Sequence, residues 1–206
     1  RGFKSGHFSF NIAGGRCEVC EGEGSIKVEM QFMADVHLPC EDCNGHRFKA
    51  EILEVKVQDK SISDILECSI DEAIAFFKTI KQIKIADKLQ PLQDVGLGYA
   101  AVGQSSSTLS GGEAQRVKLA YFLSKGNKAG NTLFLFDEPT TGLHFDDVKK
   151  LLVAFNALVD MGHTVLVIEH DLDVIQRSDY LIEIGPKGGE EGGQLLYCGH
   201  PEGIMN

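Results

Sequence analysis

The sequence predicts an α/β protein: part of a parallel sheet with its helices, preceded by a zinc-binding module and a small helical subdomain. Three observations carry that prediction. Two apolar runs, Leu133-Phe134-Leu135-Phe136 and Thr164 to Ile168, flank an amphipathic helical pattern, the β-α-β order of a parallel sheet whose strands are covered on both faces. Residues 61 to 96 repeat apolar side chains at helical spacing. Four cysteines fall in two close pairs, Cys17/Cys20 and Cys40/Cys43, a zinc spacing.

Taken in order, residues 1 to 16 are rich in Gly and Phe and hold Arg1, Lys4 and Arg16 with no acid; they read as an ordered loop or edge strand. Ile26 to Phe32 alternates apolar and polar residues and fits a strand or hairpin arm, with Ile52 to Val57 as another strand. Ser61 to Gly96 gives two or three short helices, with Pro91 marking a break or kink. Gly96 to Thr108 is a loop of Gly, Gln and Ser that leads into a helix opened by Leu109-Ser110-Gly111-Gly112-Glu113. The strand Leu133 to Phe136, the helix Val148 to Val159, the strand Thr164 to Ile168, the short helix Leu172 to Arg177 and a third strand, Tyr180 to Ile184, follow. That order implies right-handed crossovers. Gly188, Gly189, Gly192 and Gly193 make a turn before a last strand, Gln194 to Tyr197. The division expected is a zinc module over 1–60, a helical subdomain over 61–130 and an α/β core over 131–206.

Composition narrows the function classes. With 206 residues and 43% hydrophobic residues, the chain can build a core and is not a disordered tail. Its 20 Lys+Arg against 30 Asp+Glu give a net charge of −10, which rules out a protein-wide basic surface, so any contact with nucleic acid is local. The basic strip Arg1, Lys4 and Arg16, with Phe3, Phe8 and Phe10 nearby, is the candidate; its other reading is a loop whose phenylalanines pack under the metal module. No apolar run approaches the roughly 18 residues of a membrane span, and the start lacks the apolar core of a signal peptide. The expectation is a cytoplasmic chain, without a membrane partner, cut from a longer protein, since it begins without Met inside a glycine-rich loop.

The cysteine pattern is CxxC-x19-CxxC. Zinc takes four tetrahedral thiolates at roughly 2.3 Å, and each CxxC turn aims both sulfurs at one point. Gly22, Gly24 and Gly45 follow the pairs, where backbone must turn under the metal. A structural Zn²⁺ on Cys17, Cys20, Cys40 and Cys43 is expected; redox dithiols and disulfides are the weaker readings. His37 and His46 are then surface residues, and Cys68 and Cys198 ordinary thiols.

Three further motifs follow one another. Ser110 and Glu113 have the spacing of a capping box, while Ser110, Gly111 and Gly112 also stand at a helix N-terminus where amides receive an anion. Asp137-Glu138-Pro139-Thr140-Thr141 ends the first apolar strand, and carboxylates there point into the crevice where such sheets bind ligands. Asp137 suits Mg²⁺ and Glu138 suits a general base or water-orienting role. His170 closes the next strand on the same edge and suits a polar contact to a γ-phosphate.

The order LSGGE, apolar strand with Asp-Glu, then strand with His resembles an ATP-binding-cassette nucleotide-binding domain. Gly14 to Gly24, Leu109 to Ala120, Asp137 to His144 and the late glycine-rich turn resemble the UvrA family, damage-recognition ATPases of the bacterial UvrABC excinuclease, over essentially the whole chain. The resemblance implies the C-terminal part of a second nucleotide-binding domain in a dimeric ATPase that binds damaged duplex DNA and loads the helicase subunit UvrB in nucleotide excision repair. By position it implies a signature motif at Ser110, Gly111, Gly112 and Glu113, a Walker B acid at Asp137, a catalytic glutamate at Glu138, a D-loop region at Gly142-Leu143-His144 and a switch histidine at His170. ATP and Mg²⁺ are the implied cofactors beside zinc.

The sequence departs from such domains in one respect. A P-loop needs GxxxxGK[ST], and no Gly-Lys dipeptide occurs in the chain. The fold expected is therefore a partial ABC-type P-loop NTPase sheet lacking the Walker A element. The isolated chain is expected to be inactive, supplying parts of composite ATP sites. Two alternatives stay open: a zinc-knuckle interaction module, since Cys17 to Gly24 also resembles the DnaJ chaperone zinc domain, and a fragment of an ABC transporter ATPase.

Overall fold

The structure is a computed structural model, and it describes residues 2–30, 36–125, 130–186 and 192–204. The chain divides into two compact units. The first holds Arg1–Ala86 and Tyr99–Thr108, the second Asp87–Gly98 and Leu109–Asn206.

The first unit begins with a 3-10 turn, Ser5–Phe8. Strands β1 (Ser25–Val28) and β2 (Val36–Pro39) pair antiparallel, Ile26 opposite Leu38 and Lys27 opposite His37. The remainder of the expected strand reaches Phe32, which lies outside the described residues. Helices α1 (Ala50–Leu53), α2 (Ile62–Glu67) and α3 (Ile70–Thr79) follow. Ser61 and Asp64, then Ser69 and Glu72, exchange side-chain and backbone bonds at the starts of α2 and α3, two reciprocal capping boxes that fix where these helices begin. Phe48, Ile52, Ile70, Ala73 and Ile74 are buried in this unit.

The expected strand Ile52 to Val57 is corrected. Ala50-Glu51 are strong helix formers, so the stretch opens as α1 with Ile52 buried. It then closes in a two-residue turn, where Gln58 and Asp59 have φ 46 and 66 and Val57 and Lys60 exchange both backbone hydrogen bonds. Short apolar runs do not separate the two periods by themselves. Pro91 does not break the next helix either: α4 runs Ile83–Asp94 with Pro91 inside its last turn.

In the second unit, β3 (Leu133–Asp137) and β4 (Thr164–Ile168) pair in parallel, from Leu133 opposite Thr164 to Asp137 opposite Ile168. They are joined through α6 (Phe145–Asp160), whose Val148, Leu151, Leu152, Phe155 and Leu158 are buried at helical spacing. Helix α5 (Gly111–Lys125) brings Phe122 edge-on to Phe134 at 5.0 Å, and Phe136 meets Phe155 of α6 at 4.7 Å. Helix α7 (Leu172–Gln176) is capped by Asp171. Strands β5 (Leu181–Gly185) and β6 (Gln194–Gly199) form a separate antiparallel hairpin, so among the described residues the third expected strand does not extend the β3-β4 pair.

The expectation of strands covered on both faces also needs correction. Phe134 and Phe136 are buried, but Leu135 is 66% and Ile168 63% exposed. Both faces of the pair are apolar, as the sequence indicated; the helices of this unit cover one of them.

Candidate functional site

The first unit brings the four cysteines together. All four Sγ atoms of Cys17, Cys20, Cys40 and Cys43 lie within 4.8 Å of one another and are buried, with Cys17 to Cys40 at 3.9 Å and Cys20 to Cys43 at 3.6 Å. Tetrahedral thiolates on zinc at about 2.3 Å stand about 3.8 Å apart, so the donor set fits that metal. Two loops make the cluster. Glu21, Gly22 and Gly24 after the first pair, and Asn44, Gly45 and Arg47 after the second, all have positive φ. A Cβ on Gly22 would lie 2.3 Å from the Phe10 carbonyl oxygen, so only glycine fits there. Cys17 N–H donates to the Arg47 carbonyl and Cys40 N–H to that of Gly24, which ties each knuckle to the other.

Burial pushes the Cys17 thiol up to about 12 and raises Cys43 as well, whereas the backbone amide of Cys43 holds Cys40 below its usual value. Deprotonating thiols buried in such a place calls for a cation beside them. His46 Nδ1 is engaged 3.1 Å from Ser63 Oγ, and His37 is exposed in β2; neither belongs to the cluster. Cys68 is buried elsewhere, its thiol donating to the Asp64 carbonyl at 3.2 Å.

The second unit gathers the strand-end residues. Asp137 is the last residue of β3, and Glu138 follows with φ 44, a left-handed conformation that is uncommon for a side-chain-bearing residue and concentrates at functional sites. Glu138 N–H donates to the Ile168 carbonyl at 2.9 Å. That bond sets Glu138 beside the end of β4, and His170 Nδ1 stands 3.8 Å from Glu138 Oε1. Both side chains are open to solvent, Glu138 at 57% and His170 at 79%.

At the start of α5, Ser110 Oγ accepts from Glu113 N–H at 3.2 Å, and Glu113 Oε2 accepts from Ser110 N–H at 2.7 Å. The capping box expected from the spacing is therefore formed. Gly111 has open space where a Cβ would stand, while Gly112 is buried with Pro139 and Thr141 carbonyls 3.6 Å from that position. Two residues further along α5, to which the sequence reading gave no role, tie it to the end of β3. Gln115 bonds the backbone of Asp137, and Arg116, buried, donates from Nη1 to the Pro139 carbonyl at 2.7 Å. A third residue without an assigned role, Glu169, is buried between Thr140 and His170. The only sequence signal for it was a charged residue between a buried strand and the candidate histidine.

Of the basic strip, Arg1 lies outside the described residues. Lys4 is exposed, and the Arg16 guanidinium pairs with Glu21 at 3.5 Å. No helix among the described residues is long and apolar enough to cross a membrane.

The chain is 55% identical over 204 residues to UvrABC system protein A of Clostridium acetobutylicum, across 99% of this chain and 21% of that protein. It is 57% identical over 204 residues to the protein of the same name from Rickettsia typhi, with the same coverage. In structure it is similar to UvrA2 from Deinococcus radiodurans, with a TM-score of 0.84 and 46% identity across 99% of this chain and 25% of that one. No family model matches the chain. The chain spans about a fifth of the length of the curated relatives it matches.

Proposed function

We propose that this chain is the C-terminal part of the second nucleotide-binding domain of a UvrA-family ABC ATPase, and that it supplies the signature, Walker B and switch-histidine elements of composite ATP sites. The Glu138 and His170 pair at the edge of β3 and β4, 3.8 Å apart, is the observation that most supports the reading. Asp137, at the end of β3, would hold Mg²⁺. The metal, when bound, neutralises charge on the phosphates of ATP. Glu138 orients the attacking water and accepts its proton, and His170 contacts the terminal phosphate. Ser110, Gly111, Gly112 and Glu113 present the start of α5 to nucleotide held by another domain's P-loop. Because that P-loop is not in this sequence, the isolated chain is inactive in this reading.

Cys17, Cys20, Cys40 and Cys43 hold a structural Zn²⁺ whose charge stabilises the buried thiolates. Zinc module, helical subdomain and α/β core divide the chain at about residues 60 and 130. In the intact protein the partners are damaged duplex DNA, the UvrB helicase subunit and a second copy in a dimer, all in the cytoplasm; Arg1, Lys4 and Arg16 are the DNA-facing strip. The test is Glu138→Gln in the full-length protein. ATP hydrolysis is lost at that site while ATP stays bound, and a variant that hydrolyses ATP at the wild-type rate would overturn the assignment.

A further inference from the structure

Glu169 is the buried carboxylate of this unit that the proposed chemistry leaves without a task. Its side chain is 2% exposed, and an ionised carboxylate in such a place persists only when its oxygens are hydrogen-bonded. They are. Oε1 accepts from Thr140 N–H at 2.9 Å and from the Thr140 hydroxyl. Oε2 accepts from His170 N–H at 2.9 Å and Asp171 N–H at 3.2 Å. With four donors around it, this carboxylate is not placed to take a proton from water.

The two oxygens serve different loops. Oε1 holds the turn after β3, two residues past Glu138, where Thr141 N–H donates to the Glu138 carbonyl at 3.1 Å. Oε2 holds the turn after β4, and the His170 ring nitrogen Nδ1 stands 3.7 Å from it. Asp171 carries the connection on, since its Oδ1 accepts from Asp173 and Val174 N–H at the start of α7. One rigid carboxylate thus links the turn that follows Glu138 to the turn that bears His170, beyond the last bond of the strand pair. The Glu138 amide on the Ile168 carbonyl ties the strand ends directly; past them both side chains are exposed, and the Glu169 carboxylate is the tie between the two turns that follow.

We propose that Glu169 is a positioning residue that, through Thr140 on one side and the His170 and Asp171 amides on the other, holds Glu138 and His170 in register for ATP hydrolysis. The proposal rests on the reading of Glu138 and His170 given above. Glu169→Gln keeps the size of the side chain but replaces one acceptor oxygen by an NH₂ that faces donors, so one loop loses its anchor. A misplaced group costs transition-state stabilisation more than ground-state binding.

The experiment is steady-state ATP hydrolysis by the full-length protein. Glu169→Gln is expected to lower kcat by about tenfold or more while KM for ATP stays within about threefold. Thr140→Val loses part of the same rate, Thr140→Ser restores it by keeping the hydroxyl, and Thr140→Val added to Glu169→Gln costs less than it does alone, because the two substitutions share the hydroxyl contact. If Glu169→Gln does not accumulate as folded protein, Thr140→Val and Thr140→Ser carry the test. A wild-type kcat in Glu169→Gln, a loss confined to KM, or equal rates in Thr140→Val and Thr140→Ser would each overturn the proposal. Glu138→Gln is run beside them. If it hydrolyses ATP at the wild-type rate, the underlying reading fails; if its rate falls while Glu169→Gln turns over normally, the positioning role alone fails.

Discussion

Gln115 and Asp137, 22 residues apart, exchange two hydrogen bonds: the Gln115 side chain donates to the Asp137 carbonyl at 3.2 Å and accepts from the Asp137 amide at 3.3 Å. A side-chain amide that pairs with a backbone amide in this way continues the strand's hydrogen bonding on to a helix. Here it joins α5, whose first turn carries Ser110 to Glu113, to the end of β3, which carries the two carboxylates. The next residue, Arg116, reaches the Pro139 carbonyl. Two adjacent side chains of α5 therefore hold the same strand end.

Gln115→Ala is expected to separate stability from activity. The contact is solvent-exposed, so water replaces the lost partners and the cost is about 1 kcal/mol. ATP hydrolysis by the full-length protein falls about tenfold, because the end of β3 loses its tie to α5. Arg116→Ala behaves differently: its side chain is buried, and its removal leaves a cavity and a buried carbonyl without its donor, costing about 3 kcal/mol. Urea denaturation of both variants beside their rates tests the contrast, and equal stability losses would remove it.

Removal of the metal tests the cluster. Elemental analysis is expected to find one zinc for each chain, lost in Cys17→Ser and kept in Cys68→Ser, because Cys68 bonds the Asp64 carbonyl away from the cluster. Since the four cysteines are themselves buried core, chelation should also lower the melting temperature. Zinc retained in Cys17→Ser would show that the four sulfurs are not the ligand set.

The parts of this molecule that the sequence revealed are those whose signals lie close together in the chain. The CxxC pairs, the Ser110 and Glu113 box and the run Thr164 to Ile168 each sit within a few residues: the cysteines cluster, the box forms, and the run is a strand, though one of its faces is bare. The Ile52 to Val57 strand failed because a short apolar run fits both periods, and the turn at Gln58 and Asp59 carries no glycine to announce it. Gln115 and Glu169 went unassigned for another reason. Their partners, Asp137 and Thr140, are 22 and 29 residues away, and only the folded chain brings them together. The bare face of β3 and β4 was likewise hidden, because apolar composition shows that a strand can be covered on both sides, not which neighbours cover it.

DNA binding by the basic strip is expected to depend more on Lys4 than on Arg16. Lys4 is exposed, while the Arg16 guanidinium is held by Glu21 and must break that pair to reach a phosphate. In the full-length protein Lys4→Ala should weaken binding to damaged and undamaged duplexes alike and reduce the salt slope by about 1, as loss of one phosphate contact does. Arg16→Ala should change the slope less. Unchanged affinity and slope in the double variant would leave this segment a packing role.

Acid stability gives a separate view of Glu169. Burial pushes its carboxyl up, but the donors from Thr140, His170 and Asp171 together outweigh burial and leave it below its ordinary value of 4.5. A carboxyl depressed in the folded state releases its proton more readily there than in the unfolded chain. Its contribution to stability is therefore complete above the unfolded value and is lost as the pH falls through the lower, folded one. Glu169→Gln carries no proton to release, so it lacks this contribution at every pH. The stability gap between the wild-type protein and Glu169→Gln, measured by urea denaturation, should be widest near about pH 7 and close progressively below about pH 4. A gap that stays constant down to acid pH would mean that the ionised carboxylate is not what Thr140, His170 and Asp171 recognise, and that Glu169 serves there only as a neutral hydrogen-bonding group.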